Sequence, residues 1–232
     1  PYSTGIADAF ETAAKSLGMT VTNKEGYASK STDFNTQLTK IKASKPDVIM
    51  VPVYYSDVAL IAVQAKKQGI TSKLLGADGW DGVVEQINKA DVDAIANAYF
   101  CSQYSASSTD PDLQAFLTEY KSTYNKDANM FAVLGYDAMR IMADAIKRAG
   151  STETGEVRRA AGNHLYLSPQ GPVWVDPDNN HCFLTPRLAR STARGQYDIF
   201  WAADAPQKPD PYLSALDAAP PSRLRDIGAS SI

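Results

Sequence analysis

Histidine and cysteine are scarce, with two of each among 232 residues. His164 and His181 form no HExxH pair and lack the carboxylate or cysteine spacing of a zinc site. His181 adjoins Cys182, but a lone pair of this kind beside a strand is structural by default. Cys101 and Cys182 allow one disulfide in an oxidising compartment; their spacing does not establish it, and two separate thiols are the expectation. Positive charge is not in excess, with 23 Lys and Arg against 26 Asp and Glu, a net of −3. That balance gives no basic face for a nucleic acid. No apolar run approaches the roughly 20 residues of a membrane span, so no direct membrane insertion is expected. No basic, apolar and cleavage-site pattern opens the chain. GxSxG, P-loop and GxGxxG patterns are missing too, and with them any sign of a catalytic centre or a cofactor. Asp176, Asp178, Asn179 and Asn180 have the composition of a calcium loop without its twelve-residue pattern or terminal Glu, so DPDNNH reads as a turn.

What is present is an ordinary globular composition, 44% hydrophobic and 21% charged, long enough for one large or two small domains. The organising stretch is Pro46–Asp81. Val48–Val53 is a short apolar, β-rich run that reads as a strand buried on both faces. Asp57–Gln68 carries Val58, Leu60, Ile61, Val63 and Ala65 and reads as the helix covering it. Leu74 and Leu75 start the next strand. This spacing is a right-handed βαβ crossover. Open parallel sheets bind ligands outside the carboxyl ends of their strands. Tyr54, Tyr55 and Ser56 follow the first strand, and Asp78 and Trp80 follow the second. Two tyrosines and a carboxylate there can hold a small cationic or zwitterionic ligand; alternatively the tyrosines cap the sheet and Asp78 caps a turn.

Around this stretch, Ile6, Phe10, Ala13, Ala14 and Leu17 trace one side of an opening helix stopped by Gly18. Met19–Tyr27 reads as a strand. Phe34, Leu38 and Ile41 mark a helix ended by Pro46. Val83–Ile87 reads as a short helix, and Ala94–Phe100 leads into a strand. Asp110-Pro111 starts a helix through Leu113, Phe116, Leu117 and Tyr120, with Pro at the first helical position. Phe131–Ala149 is the clearest helix, with Leu134, Ala138, Ile141, Met142, Ala145 and Ile146 on one face and Gly150 after it. Glu153–Gly162 is a further helix. Gly171–Val175, Cys182–Leu188 and Tyr197–Trp201 read as short strands, and Pro206–Ile232 as an irregular tail.

Several pieces together resemble a known family: PYSTGIADAF, EGYASKSTDFNTQLTKIKASKPDVIMVPVYYSDVALIAVQAKKQG, LLGADGWD, AYFCSQYS and VLGYDAMRIMADAIKRAG. They look like the extracytoplasmic solute-binding proteins of branched-chain amino acid ABC transporters. The run SPQGPVWVDPDNNHCFLTPRLAR, with GQYDIFWAADAPQKPDPYL behind it, looks more like the amide-sensing and urea-binding branch of that superfamily. The resemblance implies an α/β chain, a three-layer α/β/α periplasmic binding protein-like I fold. It also implies N-terminal incompleteness, with a central strand of the second lobe expected just before Pro1. Residues 1–100 are then second-lobe βα units, 101–165 a helical portion of the first lobe, 166–205 short strands returning to the second lobe, and 206–232 the tail.

The resemblance further implies non-catalytic capture of a small molecule, a branched-chain or similar aliphatic amino acid, for delivery to the membrane permease of an ABC transporter. Urea or a short-chain amide, for transport or for regulation of amide metabolism, is the alternative. The location implied is periplasmic, or extracellular and lipid-anchored. Asp78 matches the family's acidic residue for the ligand ammonium, a role suited to charge-assisted bonds. One tyrosine of the Tyr54–Tyr55 pair matches a ligand contact, Tyr55 being the preferred one. Tyr2 matches a tyrosine at the start of the second lobe's first helix. Ser3 offers a hydroxyl or caps that helix. Trp80 walls the pocket or covers the sheet edge.

Overall fold

A computed structural model describes residues 1–105, 108–184, 186–191, 197–202 and 222–223. Along the chain come helices α1 (Tyr2–Ser16) and α2 (Asn35–Ala43), strand β1 (Val48–Val51), helix α3 (Tyr55–Lys67), strand β2 (Lys73–Gly76), the short helix α4 (Val83–Gln86) and strand β3 (Tyr99–Ser102). Then follow α5 (Pro111–Tyr124), α6 (Met130–Ala149), α7 (Thr154–Ala161), β4 (His164–Ser168), β5 (Gly171–Val175), β6 (Cys182–Phe183), β7 (Arg187–Ser191), β8 (Tyr197–Ala202) and β9 (Ser222–Arg223). Two compact units result: residues 1–102 with 188–201, and residues 103–187 with 202–232.

In the first unit the strands run in the order β1-β2-β3-β7-β8. The crossover expected from Pro46–Asp81 is present: β1 and β2 are parallel from Val48↔Lys73 to Val51↔Gly76, and β2 and β3 are parallel at Leu75↔Tyr99 and Gly76↔Phe100. β1 stops before the expected Val53. Pro52 has no N–H to continue a ladder, and Val53 N–H turns back to the Val51 carbonyl at 2.9 Å. α3 buries Val58, Ala59, Ile61, Ala62 and Ala65; three alanines let the helix lie close on the sheet. Leu60, expected on that face, is exposed. Gly18, at φ +77°, follows α1 as its composition suggests.

Met19–Tyr27 is not a strand. Among the described residues, the one hydrogen bond to the backbone of residues 20–27 is Gln37 Nε2 to the Gly26 carbonyl, at 3.1 Å. Side chains hold the segment instead. Thr22 Oγ1 donates to Ser44 Oγ at 3.3 Å, Lys24 pairs with Asp8 and Glu11 on α1, Glu25 with Lys40, and Tyr27 Oη donates to Asp57 at 2.8 Å. Ser44 precedes β1 and Asp57 follows it, so the segment runs in the direction of β1 without a ladder. Threonines and valine favour extended backbone, but a strand needs a paired neighbour. Among the described residues β1 pairs only with β2, at the edge of the sheet. We expect amides 20–27 to exchange at nearly unprotected rates while those of Leu74–Gly76 exchange slowly. Hydrogen exchange on the monomer tests this, and strong protection at 20–27 would show a pairing partner.

The second unit has its own sheet, in the order β6-β5-β4-β9. β4 and β5 form an antiparallel hairpin from His164↔Val175 to Ser168↔Gly171. This corrects the expected layout, in which the strands of residues 166–205 return to the sheet of residues 1–100. Among the described residues β7 and β8 do so, while β5 pairs with both β4 and β6. The expected tail at 206–232 lies outside the described residues, apart from β9, which pairs with β4. Asp110 caps α5 as expected, accepting from the N–H groups of Asp112 at 2.9 Å and Leu113 at 3.1 Å.

α6 follows its apolar pattern in part. Ala145 is buried and Leu134 and Ile141 pack against core clusters, but Met142, expected on the same face, is 51% exposed, and Asp137 and Asp144 are buried. Polar partners on the sheet side account for the two carboxylates. Ser168 and Gln170 donate to Asp137, and Arg148, which also reaches Tyr166 Oη, pairs with Asp144 at 2.6 Å. Buried carboxylates are tolerated where such partners exist.

Candidate functional site

The polar residues singled out at the strand ends of the first unit do meet. Tyr54 ends the loop after β1 in an extended conformation, and its carbonyl accepts from the N–H groups of Asp57 and Val58 at 3.0 Å, which starts α3. Its ring is exposed and stacks on Tyr2, with centroids 4.7 Å apart and planes 20° apart. Tyr55, one residue on, packs against the hydrophobic core. Successive residues at a strand end point in opposite directions. The structure brings Tyr54, not the preferred Tyr55, onto Tyr2.

Asp78 is half-buried and opens a single 3-10 turn, Asp78–Trp80, at the carboxyl end of β2. Tyr2 Oη donates to Asp78 Oδ1 at 2.6 Å and accepts from the Gly79 N–H at 3.1 Å. Burial first, then the bond to Asp78, push the Tyr2 phenol well above its ordinary value, so Tyr2 is a neutral donor. Gly79 is required by the close approach. A Cβ there would lie 2.9 Å from both Tyr2 Oη and the Val53 carbonyl oxygen. Among the described residues no hydrogen bond occupies Asp78 Oδ2.

Trp80 presents nothing to a ligand. It is fully buried, its Nε1–H donates to the Val51 carbonyl at 2.7 Å, and its ring stacks on Phe100. Of its two expected roles, covering the sheet fits this geometry. Ser3 lies inside the first turn of α1 and makes no capping bond; Pro1 is at the capping position.

Cys101 was missed. It lies in β3 one residue past the Gly76↔Phe100 pair, which sets it level with Ala77 beside Asp78. Burial first and then the charge of Asp78 push its thiol up. The parallel register of β2 and β3 was the available signal. Both cysteines are free thiols on exposed residues. Among the described residues no cluster of His, Cys, Asp or Glu is placed to hold a metal. Asp176 spends its oxygens on the Asp178 N–H at 2.8 Å and on Asn179 at 3.0 Å, as a turn residue. A separate cavity of about 230 Å³ opens at the other end of the strands between Lys66, Ser72, Lys73 and Asn97; Lys66 there already pairs with Asp93 at 2.6 Å.

The arrangement has the chemistry for one wall of a small-molecule site. It offers a carboxylate with one oxygen fixed by a neutral phenol and an exposed aromatic shelf beside it. An ammonium group is the natural complement to such a carboxylate.

A sequence model described as periplasmic binding protein matches residues 1–196. The leucine-, isoleucine-, valine-, threonine-, and alanine-binding protein of Pseudomonas aeruginosa is 23% identical over 179 residues, covering 75% of this chain and 46% of that protein. The crystal structure of a leucine-binding protein from Thermotoga maritima is similar with a TM-score of 0.77 and 27% identity, over 87% of this chain and 57% of that one. A branched-chain amino acid transporter substrate-binding protein from Streptococcus pneumoniae, in complex with isoleucine, gives a TM-score of 0.71 and 29% identity, over 87% and 56% of the two chains. The chain thus spans about half the length of the relatives it matches.

Proposed function

The chain belongs to the periplasmic binding protein family, and from that premise we propose that the whole protein captures a branched-chain or similar aliphatic amino acid for an ABC transporter. It is a binding protein, not an enzyme, and it works in the periplasm or outside the cell. The observation that carries the reading is the Asp78 carboxylate at the end of β2, with Oδ1 held by Tyr2 and Oδ2 open among the described residues. In this reading the ligand ammonium sits on Asp78, Tyr54 and Tyr2 supply the aromatic shelf, and Cys101 borders the same spot. The loaded protein then presents its ligand to the membrane permease. Tyr55, Ser3 and Trp80 serve the fold rather than the ligand.

A carboxylate left facing a ligand without a cation costs about 1–3 kcal/mol, or roughly 5- to 150-fold in affinity. Zwitterions should therefore bind better than neutral amides or simple carboxylates. A thermal-shift panel on the whole protein, with leucine, valine, isoleucine, urea, acetamide and benzoate, reads this directly. Clear shifts with leucine or valine and none with urea are expected. A shift with urea or acetamide alone would reverse the assignment in favour of the amide-binding branch.

A further inference from the structure

In the second unit a carboxylic acid is buried where the proposed function makes no use of it. Asp137, on the inward face of α6, is 3% exposed, and Gln170, in the turn between β4 and β5, is 4% exposed. Both donors that reach Asp137 land on the same oxygen. Ser168 Oγ donates to Oδ2 at 2.5 Å, and Gln170 Nε2 donates to Oδ2 as well. Among the described residues neither Asp137 Oδ1 nor Gln170 Oε1, both buried, has a hydrogen-bond partner. Two buried acceptors lacking a donor, on side chains already joined by one bond, are an unstable combination. One proton removes both defects. Placed on Asp137 Oδ1, it lets the acid O–H donate to Gln170 Oε1 while Gln170 Nε2 keeps Oδ2. That is the cyclic two-bond pair of a carboxylic acid and an amide.

Gln170 also links this pair to the ends of the unit. Its backbone carbonyl accepts from Arg187 Nη2 at 2.9 Å, and Arg187 Nη1 donates to the Gln103 carbonyl. Gln103 is the first residue of the unit, and Arg187 is the last before the chain leaves it. We propose that Asp137 is held as the neutral acid in the folded protein, and that its ring with Gln170 is a proton-dependent latch on the segments that enter and leave the second unit.

The electrostatics agree with the hydrogen-bond count. Burial pushes Asp137 up to about 6, against the opposing hydrogen bonds from Ser168 and Gln170. The surrounding groups are Tyr136 beside it, Arg140 one turn on with its guanidinium 4.9 Å from the Tyr136 ring, Asp144 paired with Arg148, and Arg187 acting through Gln170. A raised acid favours the folded state at low pH and loses that contribution as pH rises through its folded value. The latch is therefore closed on the acid side and opens on the alkaline side, where Asp137 Oδ1 and Gln170 Oε1 would be left as two acceptors without a proton between them.

Hydrogen exchange on the full chain, corrected for intrinsic rates, tests the latch at residues 103–105, 168–171 and 187. The local opening constant should rise by up to about tenfold per pH unit between about pH 4 and about pH 6, the span from the ordinary to the raised value of the acid, and level off above it. Asp137→Asn replaces the acid O–H with an amide N–H and keeps the ring, so it should match the parent on the acid side and stay flat. Gln170→Glu makes an acid–acid pair and should move the step to higher pH. An infrared band of a protonated carboxyl on the acid side, lost in Asp137→Asn, is an independent reading. Parallel exchange profiles for the parent and Asp137→Asn, or no such band in the parent, overturn the proposal.

Discussion

Replacing Asp78 with alanine is expected to weaken binding of a branched-chain amino acid by about 2–5 kcal/mol, the usual loss when one partner of a buried charge-assisted pair is removed. The ligand ammonium would lose its counter-charge, and Tyr2 Oη would lose the acceptor that now lies 2.6 Å away. The fold should survive. The turn closes through backbone atoms, Trp80 N–H to the Ala77 carbonyl at 3.2 Å and Asp81 N–H to the Asp78 carbonyl at 3.3 Å. Tyr2→Phe removes only a neutral donor from Asp78 and should cost less, about 0.5–1.5 kcal/mol. Calorimetry on the whole protein, with circular dichroism as a control for folding, separates the two. If Asp78→Ala left the affinity for every solute unchanged, Asp78 would be a turn residue and the site would lie elsewhere.

The parts of this chain that could be read from sequence are those fixed by local chemistry. The stop at Gly18, the Asp110-Pro111 start and the crossover around Asp78 each depend on a few adjacent residues, and each is where it was expected; β1 starts at Val48 but ends at Val51 and, at the sheet edge, leaves Val48 and Met50 half-buried rather than buried on both faces. The misreadings share a different cause. Met19–Tyr27 has strand composition but no neighbour to pair with, and a ladder is not a local property. The apolar face of α6 was chosen by period alone. Asp137 and Asp144 face inward because Ser168, Gln170 and Arg148 wait for them there. β4 was overlooked because HLYLS is short and follows a helix directly; its partner across the hairpin, β5, was recognised between its prolines. At the candidate site, the meeting of Tyr2, Tyr54, Asp78 and Gly79 follows from strand ends that converge. Cys101 needed the register of β3 against β2, which composition does not carry.

Trp80 is where the two roles weighed for one residue lead to opposite measurements. It is fully buried, and its indole lies flat over the Gly76 backbone, so close that a Cβ at Gly76 would fall 2.4 Å from three ring atoms. The ring stacks on Phe100 at 6.1 Å, and Nε1–H takes up the Val51 carbonyl at the last residue of β1. Trp80→Ala should therefore destabilise the first unit by about 3–5 kcal/mol, the range for emptying a buried aromatic site. Trp80→Phe keeps part of the stack and leaves the Val51 carbonyl its bond from the Val53 N–H, so it should cost less, about 0.5–1.5 kcal/mol for the lost indole hydrogen bond. Neither change touches the Asp78 carboxylate, so the fraction of each variant that remains folded should bind ligand with nearly the parent affinity. Denaturant titration followed by binding measured well below the unfolding midpoint gives both quantities. If Trp80→Ala unfolded at the parent midpoint and bound leucine at least tenfold more weakly, a loss of about 1.4 kcal/mol, the indole would be a wall of the ligand site after all.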